Sequence, residues 1–225
     1  MAWQGRDVAR RDGPQSRGAD LMIEVTQEPA LWVLTLNRPD KANSVTKAML
    51  TTLAEAVEAA TVAGVAALVL TGVGRVFSAG ADLDDARAGL AVDPVWERLS
   101  AAIAAFPGLS IAALNGTLAG GSMGMALACD LRISVPGAKF FYPVMKLGFL
   151  PQPSDPARLL ALVGPARAKL ILMAGEKIEA EEALAMGLID RIVSSETLMQ
   201  TARALAVDAL AAKPGHAAAI KGMIG

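Results

Sequence analysis

The chain has 225 residues, 53% of them hydrophobic and few aromatic, and a net charge of −1 from 21 Lys+Arg against 22 Asp+Glu. That length suffices for one domain with a sizeable core, and the balanced charge excludes nucleic acid as the main partner because no basic patch dominates. No run reaches the roughly 18 apolar residues of a membrane span, and a single cysteine, Cys129, excludes an internal disulfide and fits a reducing cytoplasm.

Residues 1–20 are polar, contain Arg and Gly, and show no period. They read as a disordered tail without the apolar core of a signal peptide, ahead of a folded core at 21–195 and a short helical segment at 196–225. Leu21 to Val25 and Leu31 to Leu36 are strand candidates around Glu28-Pro29, expected to form a hairpin. Met49, Leu50, Leu53 and Val57 share one face of a helix predicted over Thr46 to Ala60. Val65 to Thr71 is a continuous apolar run, as in a parallel strand covered on both faces. The Gly72-Val73-Gly74 that follows starts like a dinucleotide fingerprint, but Phe77 stands where its third glycine should be, so it reads as a loop.

Ala88 to Pro94 reads as a mobile loop, and Val95 to Phe106 as an amphipathic helix. Ile111 to Leu114 is a short apolar run that ends at the turn Asn115-Gly116, before Gly120-Gly121 and a helix-like Ser122 to Ala128. Leu131 to Val135 reads as a strand and Phe140 to Pro143 as an edge strand. Asp155-Pro156 marks a helix start, Asp as cap and Pro in the first turn, leading into Ala157 to Val163, and Gly164-Pro165 repeats the signal for Ala166 to Met173. Ala180 to Met186 is a helix closed by Gly187, Ile189 to Val193 a strand, and Leu198 to Ala212 a last helix. Strands alternating with helices give an α/β fold with parallel crossovers.

The chemistry centres on Ile111 to Asp130. Adjacent glycines at a helix start let backbone N–H groups approach a ligand, and the positive helix end favours negative charge there. The segment Arg75 to Leu83 also follows a strand and offers a second N–H, and two such donors make an oxyanion hole. A competing pattern lies in the same stretch. Gly120-Gly121-Ser122-Met123-Gly124 satisfies G-x-S-x-G, the nucleophile elbow of serine hydrolases. Asp155, Asp190 and the only histidine, His216, follow in a formally suitable order. Against that reading, Asn115 to Ala119 separate the motif from its strand, and His216 lies near a terminus, where chains fray. Cys129, flanked by Ala128 and Leu127, reads as a buried structural thiol.

Six blocks in the same order carry a family resemblance: Leu34 to Pro39, Phe77 to Leu83, Asn115-Gly116 with Gly120-Gly121, Cys129 to Arg132, Leu147 to Pro151, and Ala183 to Asp190. Together, over about residues 22–214, they resemble the crotonase superfamily, the enoyl-CoA hydratase/isomerase fold. The resemblance implies a crotonase-like spiral of ββα turns with C-terminal helices, binding an acyl-CoA thioester as homotrimer or hexamer. No separate cofactor or metal is implied, since coenzyme A arrives with the substrate. The oxyanion donors it implies map to the amides of Ala79 and Gly121. The coenzyme contacts map to Lys41, Ala42, Ala81, Asp82 and Leu83.

The resemblance also assigns two glutamates to hydratases of this fold, and here those positions hold Gly124 and Val144. Neither residue can move a proton, and hydration needs a general acid and base within hydrogen-bond reach. Asp155, Tyr142, Gln152 and Lys146 lie close by in sequence, with Asp155 a candidate acid or base and Tyr142 and Gln152 candidate substrate contacts. A non-catalytic acyl-CoA carrier or sensor is the alternative to an enzyme of altered chemistry. The family continues past the block at Lys213-Pro214 with further helices, whereas only a short segment, Ala217 to Gly222, follows here.

Overall fold

A computed structural model describes residues 22–224. The expected tail over 1–20, and Leu21 of the first strand candidate, lie outside the described residues. β1 (Ile23–Gln27) and β2 (Leu31–Leu36) form the expected antiparallel hairpin, with Val25 opposite Leu34. Thr46 then caps α1 (Lys47–Val62), its hydroxyl accepting from the amide of Met49, and Met49, Leu50, Leu53 and Val57 are buried.

The chain next repeats one pattern three times. A long buried strand enters a large sheet, a strand of three residues enters a smaller one, and helix follows. The first turn is β3 (Ala67–Gly72), β4 (Val76–Ser78), α2 (Leu83–Arg87) and α3 (Val95–Ala104). The second is β5 (Leu109–Leu114), β6 (Thr117–Ala119) and α4 (Met123–Leu127), with a 3-10 turn over Gly120–Ser122 before the helix. The third is β7 (Leu131–Ser134), β8 (Lys139–Phe141), α5 (Val144–Leu147) and α6 (Asp155–Leu172). β9 (Ile178–Glu179), α7 (Ala180–Met186), β10 (Arg191–Ile192), α8 (Leu198–Ala211) and α9 (His216–Ile224) complete the described fold.

The large sheet has the order β1-β2-β3-β5-β7-β10 and the small one β4-β6-β8-β9. Every pair is parallel except the two pairs β1/β2 and β8/β9. This is the expected α/β spiral. Leu68, Val69, Ile111 and Ala112 are buried as an apolar strand covered on both faces requires. Among the described residues, no helix is long and apolar enough to cross a membrane.

Several expectations are corrected. Phe140 and Phe141 do not form an edge, because β8 pairs with β6 on one side and β9 on the other. The stretch expected as a mobile loop holds a 3-10 turn over Leu90–Val92, anchored by buried Leu90, whose carbonyl accepts from Trp96 Nε1 at 2.8 Å. Ser154, not Asp155, is the cap residue of α6, and Asp155 is its first helical residue with a fully buried side chain. The two helices expected on either side of Gly164-Pro165 form one element broken at Gly164 (φ 76°). The segment from His216 is not frayed as expected: α9 is tied down by Lys221, whose Nζ donates to Phe106 O at 2.8 Å and pairs with Asp130 at 2.7 Å.

Candidate active site

Two connections of the spiral meet at one place, the link from β4 to α2 and the link from β6 to α4. Gly80 (φ 97°) and Gly120 (φ 59°) both use backbone conformations that favour glycine. A Cβ on Gly80 would lie 3.1 Å from Ala119 O and 3.6 Å from Gly120 Cα, so the two backbones touch with no side chain between them. A buried pair of hydroxyls fastens the contact, with Ser78 Oγ 2.7 Å from Ser122 Oγ. Ser78 Oγ donates to Asn43 O at 2.8 Å and accepts from Gly80 N at 3.2 Å. Its one hydrogen is therefore spent, and Ser122 is the donor within the pair.

The amides along the first loop divide by side. Val45 N donates to Gly80 O and Asp82 N donates to Val45 O, both at 2.8 Å, so one side of Ala81 is bonded to Val45 in a parallel bridge. The N–H of Ala81 itself faces the other way, as alternation along extended backbone requires, and has no hydrogen-bond partner among the described residues. Gly121 lies in the first turn after Ala119, where a helical N–H has no carbonyl behind it. It too lacks a partner among the described residues. Ala79 is corrected here: its amide donates to Ala42 O at 3.0 Å and is not available to a ligand.

Ala81 and Gly121 line one cavity of about 330 Å³ together with Ala79, Gly80, Leu83, Trp96, Tyr142, Val144 and Gln152. Its wall is largely apolar, and Leu147, Phe149 and Leu150 stand exposed along it. Arg87 is the one cationic residue among those lining it. Trp96 forms the floor beneath Gly121, its ring 3.2 Å from where a Cβ at 121 would lie. Sequence reading missed Trp96, since an aromatic on the buried face of a helix carries no sign of what lies above it.

The other expected contacts disperse. Lys41, Ala42 and Asp82 do not line this cavity. Lys41 ends a 3-10 turn at the surface. Asp82 pairs with Arg38 Nη1 at 2.6 Å and accepts from Asp84 N at 3.0 Å, which holds its carboxyl below the usual range. Lys146 is exposed and also off the cavity wall. Ser122 is fully buried and committed to Ser78, while His216 is exposed along a separate cleft of about 870 Å³ beside α8 and α9. Asp190 accepts from the backbone amide of Arg132 at 2.6 Å. Among the described residues, then, Ser122, Asp190 and His216 do not come together as a triad. Cys129 is buried, donates to Met125 O at 3.3 Å, and has its thiol pushed up to about 12 by burial.

Behind the cavity lies a group that does titrate. Gly124 and Val144 carry no acid, but a Cβ on Gly124 would stand 2.8 Å from Asp155 Oδ1. The carboxyl of Asp155, brought in by α6, therefore fills the space a side chain at 124 would enter. Tyr142 Oη donates to Asp155 Oδ2 at 3.0 Å and accepts from Gln152 N at 3.2 Å. Asp155 Oδ1 and Arg158 Nη1 are 3.8 Å apart, both buried and without a hydrogen-bond partner among the described residues. Burial raises the carboxyl of Asp155 to about 7, with Glu97 adding to the rise, against Tyr142 and Arg158, which lower it. Burial, then the neighbouring Asp155, pushes the phenol of Tyr142 well above its usual value.

Comparison with known proteins places the chain in a family. The family described as Enoyl-CoA hydratase/isomerase matches residues 26–224. A probable enoyl-CoA hydratase of Mycobacterium tuberculosis is 38% identical over 172 residues, covering 76% of this chain and 70% of the relative. The 1,2-epoxyphenylacetyl-CoA isomerase of Escherichia coli is 35% identical over 189 residues, covering 80% and 72%. Among solved structures, DspI of Pseudomonas aeruginosa superposes with a TM-score of 0.83 at 32% identity, covering 93% of this chain and 89% of that one. With its spiral of parallel strands and its two glycine loops at one cavity, the chain belongs to the enoyl-CoA hydratase/isomerase family.

Proposed function

We propose that the cavity binds an acyl-CoA thioester with its carbonyl oxygen between the amides of Ala81 and Gly121, and that these stabilise negative charge developing on that oxygen. The observation that carries this reading is two amides with no partner among the described residues, from two separate loops, on the wall of one largely apolar cavity. Fixed donors in a site shielded from water are worth about 3 kcal/mol each toward an oxyanion. The cavity is of a size for a short acyl group and the end of the pantetheine arm, at the low end of small-ligand sites. Arg87, paired with Asp84 at 2.9 Å, is the cationic residue on that wall. Hydration by a pair of glutamates is not part of the reading, because Gly124 and Val144 offer no acid or base. On the family ground alone we also propose a homotrimer or hexamer.

Two ligands differing by one oxygen test the proposal. Butyryl-CoA is expected to raise the unfolding midpoint by the mass-action term, about 2.7 kcal/mol at 100 times its Kd. The S-butyl thioether of coenzyme A has no carbonyl, leaves both amides unpaired, and is expected to bind at least about tenfold more weakly. Equal affinity for the two, or no stabilisation by butyryl-CoA, would overturn the proposal.

A further inference from the structure

The carboxyl of Asp155 is a buried acid beside the cavity. It is fully buried, it has an oxygen with no hydrogen-bond partner, and it sits against a glycine whose missing side chain makes room for it. A carboxyl kept there only for α6 would bond an amide of its first turn, and among the described residues this one bonds none. Its one hydrogen-bond partner among the described residues is Tyr142, which lines the cavity. Gln152, also on the cavity wall, fixes the phenol from the other side through its backbone amide, and its side chain holds Ala91 O at 3.1 Å.

We propose that Tyr142 and Asp155 form a two-residue proton relay that moves a hydrogen on and off the α-carbon of the bound thioester. The proposal rests on the acyl-CoA reading above, since the oxyanion amides must hold the enolate that results. Tyr142 is the catalytic residue and Asp155 acts through it. The α C–H bond breaks, its electron pair moves into the enolate, and its proton goes to Tyr142 Oη. The phenol's own proton passes at the same time to Asp155 Oδ2. The return step reverses each transfer, so no oxidant, reductant or co-reactant is needed.

The groups around Asp155 suit that traffic. An ionised Asp155 accepts from the phenol, as the observed 3.0 Å contact allows, and a protonated one donates to it and frees the phenol hydrogen to turn toward the cavity. Its titration near 7 places both forms within reach at neutral pH. Arg158 on α6 and Glu97 on α3 are the charged groups facing it, and Glu97 is held by the amide and hydroxyl of Ser154 at 3.2 and 3.0 Å. The high phenol value keeps Tyr142 protonated, so that it passes a proton along and does not remain as a phenolate.

Deuterium incorporation at the α-carbon of butyryl-CoA in D2O, followed by mass spectrometry, tests the relay. Removal of the α-proton requires ionised Asp155, so the exchange rate should rise with pH and level off above about 7. Asp155→Asn should still bind butyryl-CoA but exchange at least 100-fold more slowly, with the step in the pH profile gone. Tyr142→Phe gives a second route to the same loss if the first variant fails to fold. Wild-type protein that binds butyryl-CoA yet incorporates no deuterium would overturn the relay and leave the binding site standing. So would Asp155→Asn exchanging at the wild-type rate with the same pH profile. Failure to bind butyryl-CoA at all would instead strike the acyl-CoA reading.

Discussion

Ser78 shows how much of this site hangs on single polar atoms. Its hydroxyl joins three partners, Asn43 O, Gly80 N and Ser122 Oγ, in a place with no water-accessible surface. Ser78→Ala removes all three contacts and leaves buried groups unsatisfied, so unfolding in urea should show a loss on the order of 2 kcal/mol. A loss under about 0.5 kcal/mol would mean the pair does not fasten the loops. At this scale the sequence was only partly legible. The block Phe77 to Leu83 identifies the loop, but which amide is left over depends on the register with Val45, a contact 36 residues away in the chain. Hence the sequence pointed to Ala79, whose amide is spent on Ala42, and the free one is Ala81. Asp155 carried two readings in the sequence, a helix-start signal before Pro and a candidate acid or base, and its full burial, with Ser154 as the cap residue, sets the first aside.

Between elements, the junction of α4 with α6 is the most exacting, because Gly124 and Asp155 share one volume. Gly124→Ala must push its methyl against a carboxylate oxygen at 2.8 Å, an overpacking expected to cost about 1–3 kcal/mol. In an Asp155→Ala background the space is vacant and the same change should cost little. A double-mutant cycle should therefore show a coupling above about 1 kcal/mol. Additivity within about 0.5 kcal/mol would contradict the placement of the carboxyl. Long elements were legible, since buried β3 reads as an apolar run and α1 shows its periodic face. Short ones were not. β4, β6 and β9 have two or three residues each, fewer than the run of about 4–8 over which alternation can be read, and α2 and α5 span little more than one turn. β8 looked like an edge because β9, its outer partner, has only two residues to announce it.

Across the whole molecule, repetition explains why the site lies where it does. Each spiral turn delivers a strand to the large sheet and a short strand to the small one, and the connection that follows the short strand is left free to build the cavity. Two successive turns supply the two amides and the third supplies Tyr142, just beyond β8. The family blocks were readable at this scale because they fall on those connections in order. The geometry that decides chemistry was not, because it arises only when turns far apart in sequence are stacked. The most direct test is the infrared spectrum of 13C-labelled butyryl-CoA bound to the protein, read at the thioester carbonyl. Two fixed N–H donors polarise the C=O bond, so its stretch should fall below its position in water. A stretch at or above the aqueous value would contradict an oxyanion hole formed by Ala81 and Gly121.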